Sequence, residues 1–65
     1  MVLVGLKEKI KLVCKSEKAC AERMGWTKQR LNKITQGRKI ATVKEVEEIA
    51  NALGEQAKDI IYFFI

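Results

Sequence analysis

The sequence predicts an all-α fold of five short helices, and three features of the chain support that fold class. Apolar residues recur at intervals of three and four, which is the period of an amphipathic helix. Ser16, Thr27 and Thr42 each precede such a segment, and a hydroxyl at that place caps a helix N-terminus. Three of the four glycines follow these segments, where helices commonly end. The chain has no proline and little strand pattern before its last residues.

The first two helices are predicted on either side of Lys15. Apolar residues at helical spacing mark the first, from Leu6 to about Cys14. The second follows the Ser16 cap and ends at Gly25. Its apolar side consists of Ala19, Cys20, Ala21 and Met24. Trp26 comes next and is expected to pack between helices rather than to stack on a base.

The third helix begins after Thr27 and has two chemically different faces. At about 100° per residue, Leu31 and Ile34 lie on one side. The opposite side carries only amides and cations: Lys28, Gln29, Asn32, Lys33 and Gln36. Gln and Asn pair bidentately with adenine, and Lys reaches guanine or a phosphate. A face of this kind is usually only solvated, but its composition also suits the reading of nucleic acid.

The fourth helix and the C-terminal segment complete the chain. Thr42 caps a segment whose core side is predicted to be Val43, Val46, Ile49, Ala50 and Leu53, and whose polar side is acidic. Gly54 ends this helix. The last segment, 57–65, is expected to form a fifth helix that closes the core and ends in six consecutive apolar residues.

Charge is distributed unevenly along the 65 residues, which are enough for one domain. Residues 1–44 contain twelve of the thirteen Lys and Arg and three acids, a net charge of +9. Residues 45–65 contain one Lys and five acids, a net charge of −4. This separation favours one end of the domain facing a polyanion. No apolar run is long enough for a secretion signal or a membrane span, so we expect a soluble, cytoplasmic protein.

Catalytic and metal-binding chemistry is poorly represented. The chain has no His, no phosphate-cradling motif and no pair of carboxylates in an apolar context. Cys14 and Cys20 are not a CxxC pair, and we expect both to be reduced core residues. The sequence therefore predicts neither an enzyme nor a cofactor, a metal or a small-molecule ligand.

From Ser16 to Gly54 the chain resembles the helix-turn-helix domains of the phage lambda-type repressor and Cro group, the Xre-like family. The resemblance lies in Ala21, in Met24-Gly25-Trp26-Thr27, in Leu31 with Ile34, in Gly37, and in Ile49-Ala50-Asn51-Ala52-Leu53-Gly54. It implies a single five-helix domain over residues 1–65, with a helix-turn-helix unit at about 16–37. It also implies that the helix after Thr27 enters the major groove of double-stranded DNA.

The resemblance also suggests roles for individual residues. Base contacts are expected from Lys28, Gln29, Asn32 and Lys33. Contacts to the DNA backbone are expected from Ser16, Thr27, Arg30, Gln36, Arg38, Lys39 and Thr42. The chain departs from the family where a phosphate-contacting Gln often opens the second helix, because Glu17 stands there and a carboxylate repels phosphate. Two further departures are Cys14-Lys15 before the second helix and Ala41 where Pro is common.

The C-terminal segment is expected to mediate homodimerisation. Six apolar residues in succession cannot all face inward, so a surplus, Phe63 with Ile65 or Tyr62, is expected to form an exposed patch. We expect a dimer through residues 57–65, as the last helix or as an extended strand, with Ile61, Tyr62, Phe63, Phe64 and Ile65 at its interface. The acidic flanking charges argue against a membrane contact. The combined prediction is a transcriptional regulator that binds a near-palindromic operator, and the alternative is an antitoxin-like or accessory adaptor that binds another protein.

Overall fold

The structure, a computed structural model, describes residues 2–64 and is all-helical over that range. The elements are α1 (Val4–Cys14), α2 (Glu17–Met24), α3 (Lys28–Thr35), α4 (Val43–Ala52), α5 (Ala57–Ile60) and a 3₁₀-helix (Ile61–Phe64). The described residues have extents of 24 × 23 × 20 Å and contain no strand. The predicted all-α, five-helix fold is confirmed.

Three hydroxyl caps set the helix boundaries, as the sequence predicts. The side chains of Ser16, Thr27 and Thr42 accept hydrogen bonds from backbone N–H groups three residues later, at distances of 3.1, 3.2 and 3.1 Å. At Thr42 the cap is reciprocal, because a Glu45 carboxylate oxygen accepts from the Thr42 N–H at 3.0 Å. Each cap satisfies an N–H that the helix itself leaves unpaired.

The core lies between the helices and contains one or more apolar side chains from each of them. Leu6, Ile10, Leu31, Ile34 and Ile49 have no exposed surface. Other buried apolar residues include Cys14, Cys20, Ala21, Val46, Ala50, Leu53 and Ile60. Burial of a large aliphatic side chain contributes about 1.5–3 kcal/mol, so this set is the main stabilising feature of so short a chain.

Two residues shape the turn between α2 and α3. Gly25 has φ +72°, a conformation that costs glycine least. The Trp26 N–H donates to the Ala21 carbonyl at 2.8 Å, which folds the chain back towards α2. The Trp26 ring is buried, as predicted, and its Nε1 donates to a carboxylate oxygen of Glu48 at 2.9 Å.

The C-terminal segment, for which the sequence leaves a helix and an extended strand open, is helical over residues 57–64. Regular α-helix ends at Ile60, and the tighter 3₁₀-helix that follows brings Phe63 onto α1. Gly5 permits this approach, because a Cβ there would lie 2.9 Å from Phe63 Cδ1. The expectation that Phe63 is exposed is therefore wrong, since it is half-buried. Ile65, expected at the dimer interface, lies outside the described residues.

Val43 also departs from the sequence prediction, which assigned it to the core. It is 77% exposed, although the later apolar residues of its face are buried. Val43 lies at the first turn of α4 on an open groove, where no element covers it. The first helix begins at Val4, slightly before the predicted start at Leu6.

The two cysteines are free and buried. Burial, followed by a hydrogen bond with Cys14, raises the pKa of the Cys20 thiol to about 12, so Cys20 is a neutral core group near pH 7. None of the helices described between residues 2 and 64 combines the length and apolarity that a membrane crossing requires.

Candidate nucleic-acid interface

The outer face of α3 is accessible along its length. Leu31 and Ile34 are fully buried beneath the helix. Lys28, Gln29 and Lys33 are exposed, whereas Asn32 and Gln36 are half-buried. All five side chains predicted to point away from the core therefore retain accessible surface, and none is a carboxylate.

Glu17 at the start of α2 is turned towards α3. One carboxylate oxygen accepts from Asn32 Nδ2 at 3.1 Å, and the other accepts from the Thr35 hydroxyl at 3.1 Å. Lys7 Nζ of α1 lies 3.9 Å from the second oxygen. The carboxylate thus connects three helices and is directed into protein contacts, which reduces the repulsion of phosphate expected from an acid at this position.

A second carboxylate, Glu45, forms ion pairs with two cations that are predicted to contact the DNA backbone. Its Oε2 accepts from Arg30 at 3.2 Å and from Lys39 at 2.9 Å. The Arg30 guanidinium also lies over the Trp26 ring, 3.9 Å from its centroid. Both cationic side chains remain 45% exposed, so they are positioned by Glu45 without being covered. Sequence reasoning placed Glu45 on a solvent-facing acidic side, but it is 4% exposed.

The hydrogen bonds of Glu45 perturb its ionisation. Acceptance from the Thr42 backbone N–H, and then from Lys39, lowers the pKa of Glu45 from 4.5 to about 2. Charge-assisted bonds of this type favour the ionised form even where burial opposes it. Glu45 is therefore a carboxylate at neutral pH, and it fixes the start of α4 and the loop before it.

The other residues that are predicted to contact the DNA backbone lie around the two ends of α3. Ser16, Thr27 and Thr42 are exposed, and each hydroxyl that accepts a capping bond still has its own O–H to donate. Arg38 is exposed, and its backbone N–H donates to the Lys33 carbonyl at 2.9 Å. This bond holds the loop that carries the cation against the C-terminal end of α3.

A lysine-lined cleft beside α3 was not assigned a role from sequence. Its lining residues come from α1, α2, α3 and the turn between α1 and α2, and they are Lys7, Lys11, Lys15, Ser16, Glu17, Lys18, Lys28 and Asn32. The signal that could have identified it is the four-residue spacing of Lys7, Lys11 and Lys15, of which the first two lie on α1 and the third caps its end.

An apolar groove opens on another part of the surface. Ile40, Val43, Ile61 and Phe64 line it together with Ala41, Val46, Ala57 and Lys58. Ile40 is 92% exposed and Ile61 is 40% exposed. Among the predicted interface residues, Tyr62 is also exposed, whereas Phe63 and Phe64 are half-buried against the core of their own chain.

Comparison with known proteins identifies a protein family. A family model described as helix-turn-helix matches residues 6–60, which include α1 to α5 almost completely. Searches of curated proteins and of solved structures returned no significant match.

Proposed function

The chain belongs to the Cro/C1-type (Xre-like) helix-turn-helix family of DNA-binding transcription regulators, and from this we propose that it is a phage- or mobile-element-type repressor acting on a near-palindromic operator as a homodimer. The observation that carries the proposal is the accessible face of α3. Amides and ammonium groups line that face above two fully buried aliphatic side chains.

The proposed base contacts come from the exposed face of α3. Lys28 and Gln29 lie in its first turn, and Asn32 and Lys33 lie one turn later. An α-helix fits the major groove, and amides and ammonium groups suit the acceptors and donors that adenine and guanine present there. The α3 face matches these requirements and has no carboxylate to repel the backbone.

The proposed backbone contacts surround that face. They are Ser16, Thr27, Arg30, Gln36, Arg38, Lys39 and Thr42. The exposed cations of this group supply affinity that depends little on sequence, and the hydroxyls position the helix. Glu45 supports these contacts by holding Arg30 and Lys39 on one carboxylate.

The proposed homodimer uses Ile61, Tyr62, Phe63, Phe64 and Ile65, and the apolar groove adds Ile40 and Val43 to this surface. Large exposed aliphatic groups in one groove are typical of a contact site. Recognition helices of a dimer enter successive major grooves about 34 Å apart, so each must lie about 17 Å from the two-fold axis. A domain with extents of 24 × 23 × 20 Å has room for that separation.

The same groove supports a second candidate function, an antitoxin-like or accessory adaptor that binds another protein. The exposed Ile40 and Val43 could pack against a second copy of the chain or against a different protein. A shared fold does not settle function. The α3 face distinguishes the two functions, because an adaptor needs no row of amides and cations there.

Titration of the protein with a labelled duplex of random sequence at several salt concentrations tests the proposal. Regulators that contact several phosphates lose affinity steeply with salt, by about 0.9 log units per tenfold increase for each phosphate. We expect such a slope here. A chain that binds duplex weakly and without salt dependence, while remaining folded, is an adaptor rather than a repressor.

A further inference from the structure

Helix α1 and the residue that caps its C-terminal end carry a row of three lysines. Lys7 and Lys11 are one helical turn apart on α1, and Lys15, the residue that caps the end of α1, lines the same cleft. At a rise of about 1.5 Å per residue, Lys7 and Lys11 lie about 6 Å apart along the helix axis, and Lys15 extends the row past the helix end. Phosphates of one DNA strand repeat about every 3.4 Å along the duplex axis, so the row can reach more than one of them.

The row faces the same cleft as cations of the next two helices. Lys18 of α2 and Lys28 at the start of α3 also line it, and Glu17 is its one acidic lining residue. Lys28 and Asn32 belong both to this cleft and to the small depression on the outer face of α3 that includes Gln29. The lysine-lined cleft is therefore continuous with the proposed base-reading face.

The cations of the cleft are mostly without acidic partners. Within residues 2–64, ion pairs involve Lys7, Lys9, Arg30 and Lys39, and they leave Lys11, Lys15, Lys18 and Lys28 without a carboxylate. Lys9, on another side of α1, pairs with Glu55 at 2.8 Å. The charge of Lys9 is thus neutralised by the protein, whereas Lys11 and Lys15 are left to an external anion.

We propose that Lys11 of α1 and Lys15 at its C-terminal cap, together with Lys18, bind phosphates of the duplex beyond the contacts of the helix-turn-helix unit. This surface extends the interface along the DNA backbone on the α1 side of α3. The inference rests on the proposed DNA-binding function and adds a second group of phosphate contacts to it. These contacts increase affinity for every sequence alike, because phosphates carry no base information.

The test measures duplex affinity against salt for Lys11→Gln and for Lys11→Gln/Lys15→Gln. Each lost phosphate contact reduces the slope of log affinity against log salt by about 0.9, which corresponds to an affinity about five-fold lower at 0.15 M salt. We expect a reduction of about 0.9 for the single variant and about 1.8 for the double variant. Preferred and random duplexes should lose affinity equally.

Lys9→Gln is the matched control, because it removes the same charge from the same helix outside the cleft. Its slope should equal that of the wild type, and Lys11→Arg/Lys15→Arg should restore the wild-type slope. The inference is overturned if the double Gln variant, folded by circular dichroism, keeps the wild-type slope. It is also overturned if Lys9→Gln reduces the slope as much as Lys11→Gln. If the wild type itself does not bind duplex, the proposed DNA-binding function fails together with this inference. If the wild type binds and the double Gln variant keeps its slope, the inference alone fails.

Discussion

Asn32 Nδ2 donates a hydrogen bond of 3.1 Å to Glu17 Oε1, which joins the outer face of α3 to the first residue of α2. An amide nitrogen has two hydrogens, so one N–H and the Oδ1 of Asn32 remain for another partner. A donor next to an acceptor is what bidentate pairing with adenine requires. Glu17 is therefore placed to orient a base-reading side chain, although it carries the wrong charge for a phosphate contact.

Glu17→Ala and Glu17→Gln should distinguish two effects of Glu17 on DNA binding, the orientation of Asn32 and the negative charge of the carboxylate. The alanine variant releases Asn32, and we expect preferred-site affinity to fall by up to about 1–3 kcal/mol relative to random duplex. The glutamine variant keeps an oxygen acceptor for Asn32 and removes a negative charge, so it should bind random duplex more tightly. Fluorescence anisotropy on both duplexes gives the ratio of affinities.

Asn32→Ala supplies the control for this prediction. If Glu17 acts through Asn32, Glu17→Ala should have little further effect on the affinity ratio in the Asn32→Ala background. Equal effects in both backgrounds would mean that Glu17 influences specificity by another route.

Gln29→Ala and Arg38→Ala should lose affinity in different ways. Gln29 lies on the α3 face, so its loss should cost about 1–3 kcal/mol on the preferred duplex and relax base choice at one position. Arg38 lies in the following loop, so its loss should weaken all duplexes alike and reduce the salt slope by about 0.9. Identical losses on preferred and random DNA for both variants would refute this division of roles.

Much of this arrangement could be predicted from sequence, because caps and apolar periodicity are local. Ser16, Thr27 and Thr42 each cap a helix as expected, and the third helix has the predicted buried side. The contacts of Glu45 with Arg30 and Lys39 could not be predicted in this way. They depend on how α3, its loop and α4 meet, and residue spacing does not encode that geometry.

The errors in prediction have a similar origin. Val43 has the right spacing for the core side of α4, but it lies where no neighbouring helix covers it. Phe63 belongs to an apolar run whose surplus was assigned to the surface, and a change to 3₁₀ geometry brings it onto Gly5. Local periodicity predicts which residues share a face, whereas burial depends on what packs against that face.

Acid should destabilise the fold through Glu45. Its pKa in the folded state, about 2, lies below the ordinary value of 4.5, so the folded protein resists a proton that the unfolded chain accepts. The stabilisation is fully present above about pH 4.5 and is lost as the pH falls towards 2. The free energies of unfolding of wild type and Glu45→Gln, measured by urea denaturation, should therefore converge as the pH falls over this range. A constant difference between them down to pH 2 would argue against the assigned pKa.

Lys15→Gly should stabilise the protein. Lys15 follows α1 with φ +75°, a conformation that is strained for a residue with a Cβ. Removing that strain should outweigh the added entropy of the unfolded chain and increase the free energy of unfolding by about 0.5–1 kcal/mol. Lys15→Ala, which keeps the Cβ, should give no such gain. Thermal or urea denaturation of the three proteins measures the difference, and an equal gain for alanine would contradict the explanation.

Loss of the exposed apolar groove should weaken dimerisation without unfolding the chain. Ile40→Glu and Tyr62→Glu change exposed side chains, so the core should stay intact. Sedimentation should show a wild-type dimer at micromolar concentration and monomeric variants. An unchanged molecular weight in both variants would remove this surface from the interface.

Selection of bound fragments from a pool of random duplexes tests the central claim, that the α3 face reads bases, most directly. The wild type should enrich an inverted repeat with half-sites centred about 10 base pairs apart. Gln29→Ala should lose the preference at one position in each half-site while keeping the others. Enrichment of no sequence by the wild type, or of an identical sequence with the same strength by both proteins, would contradict the claim.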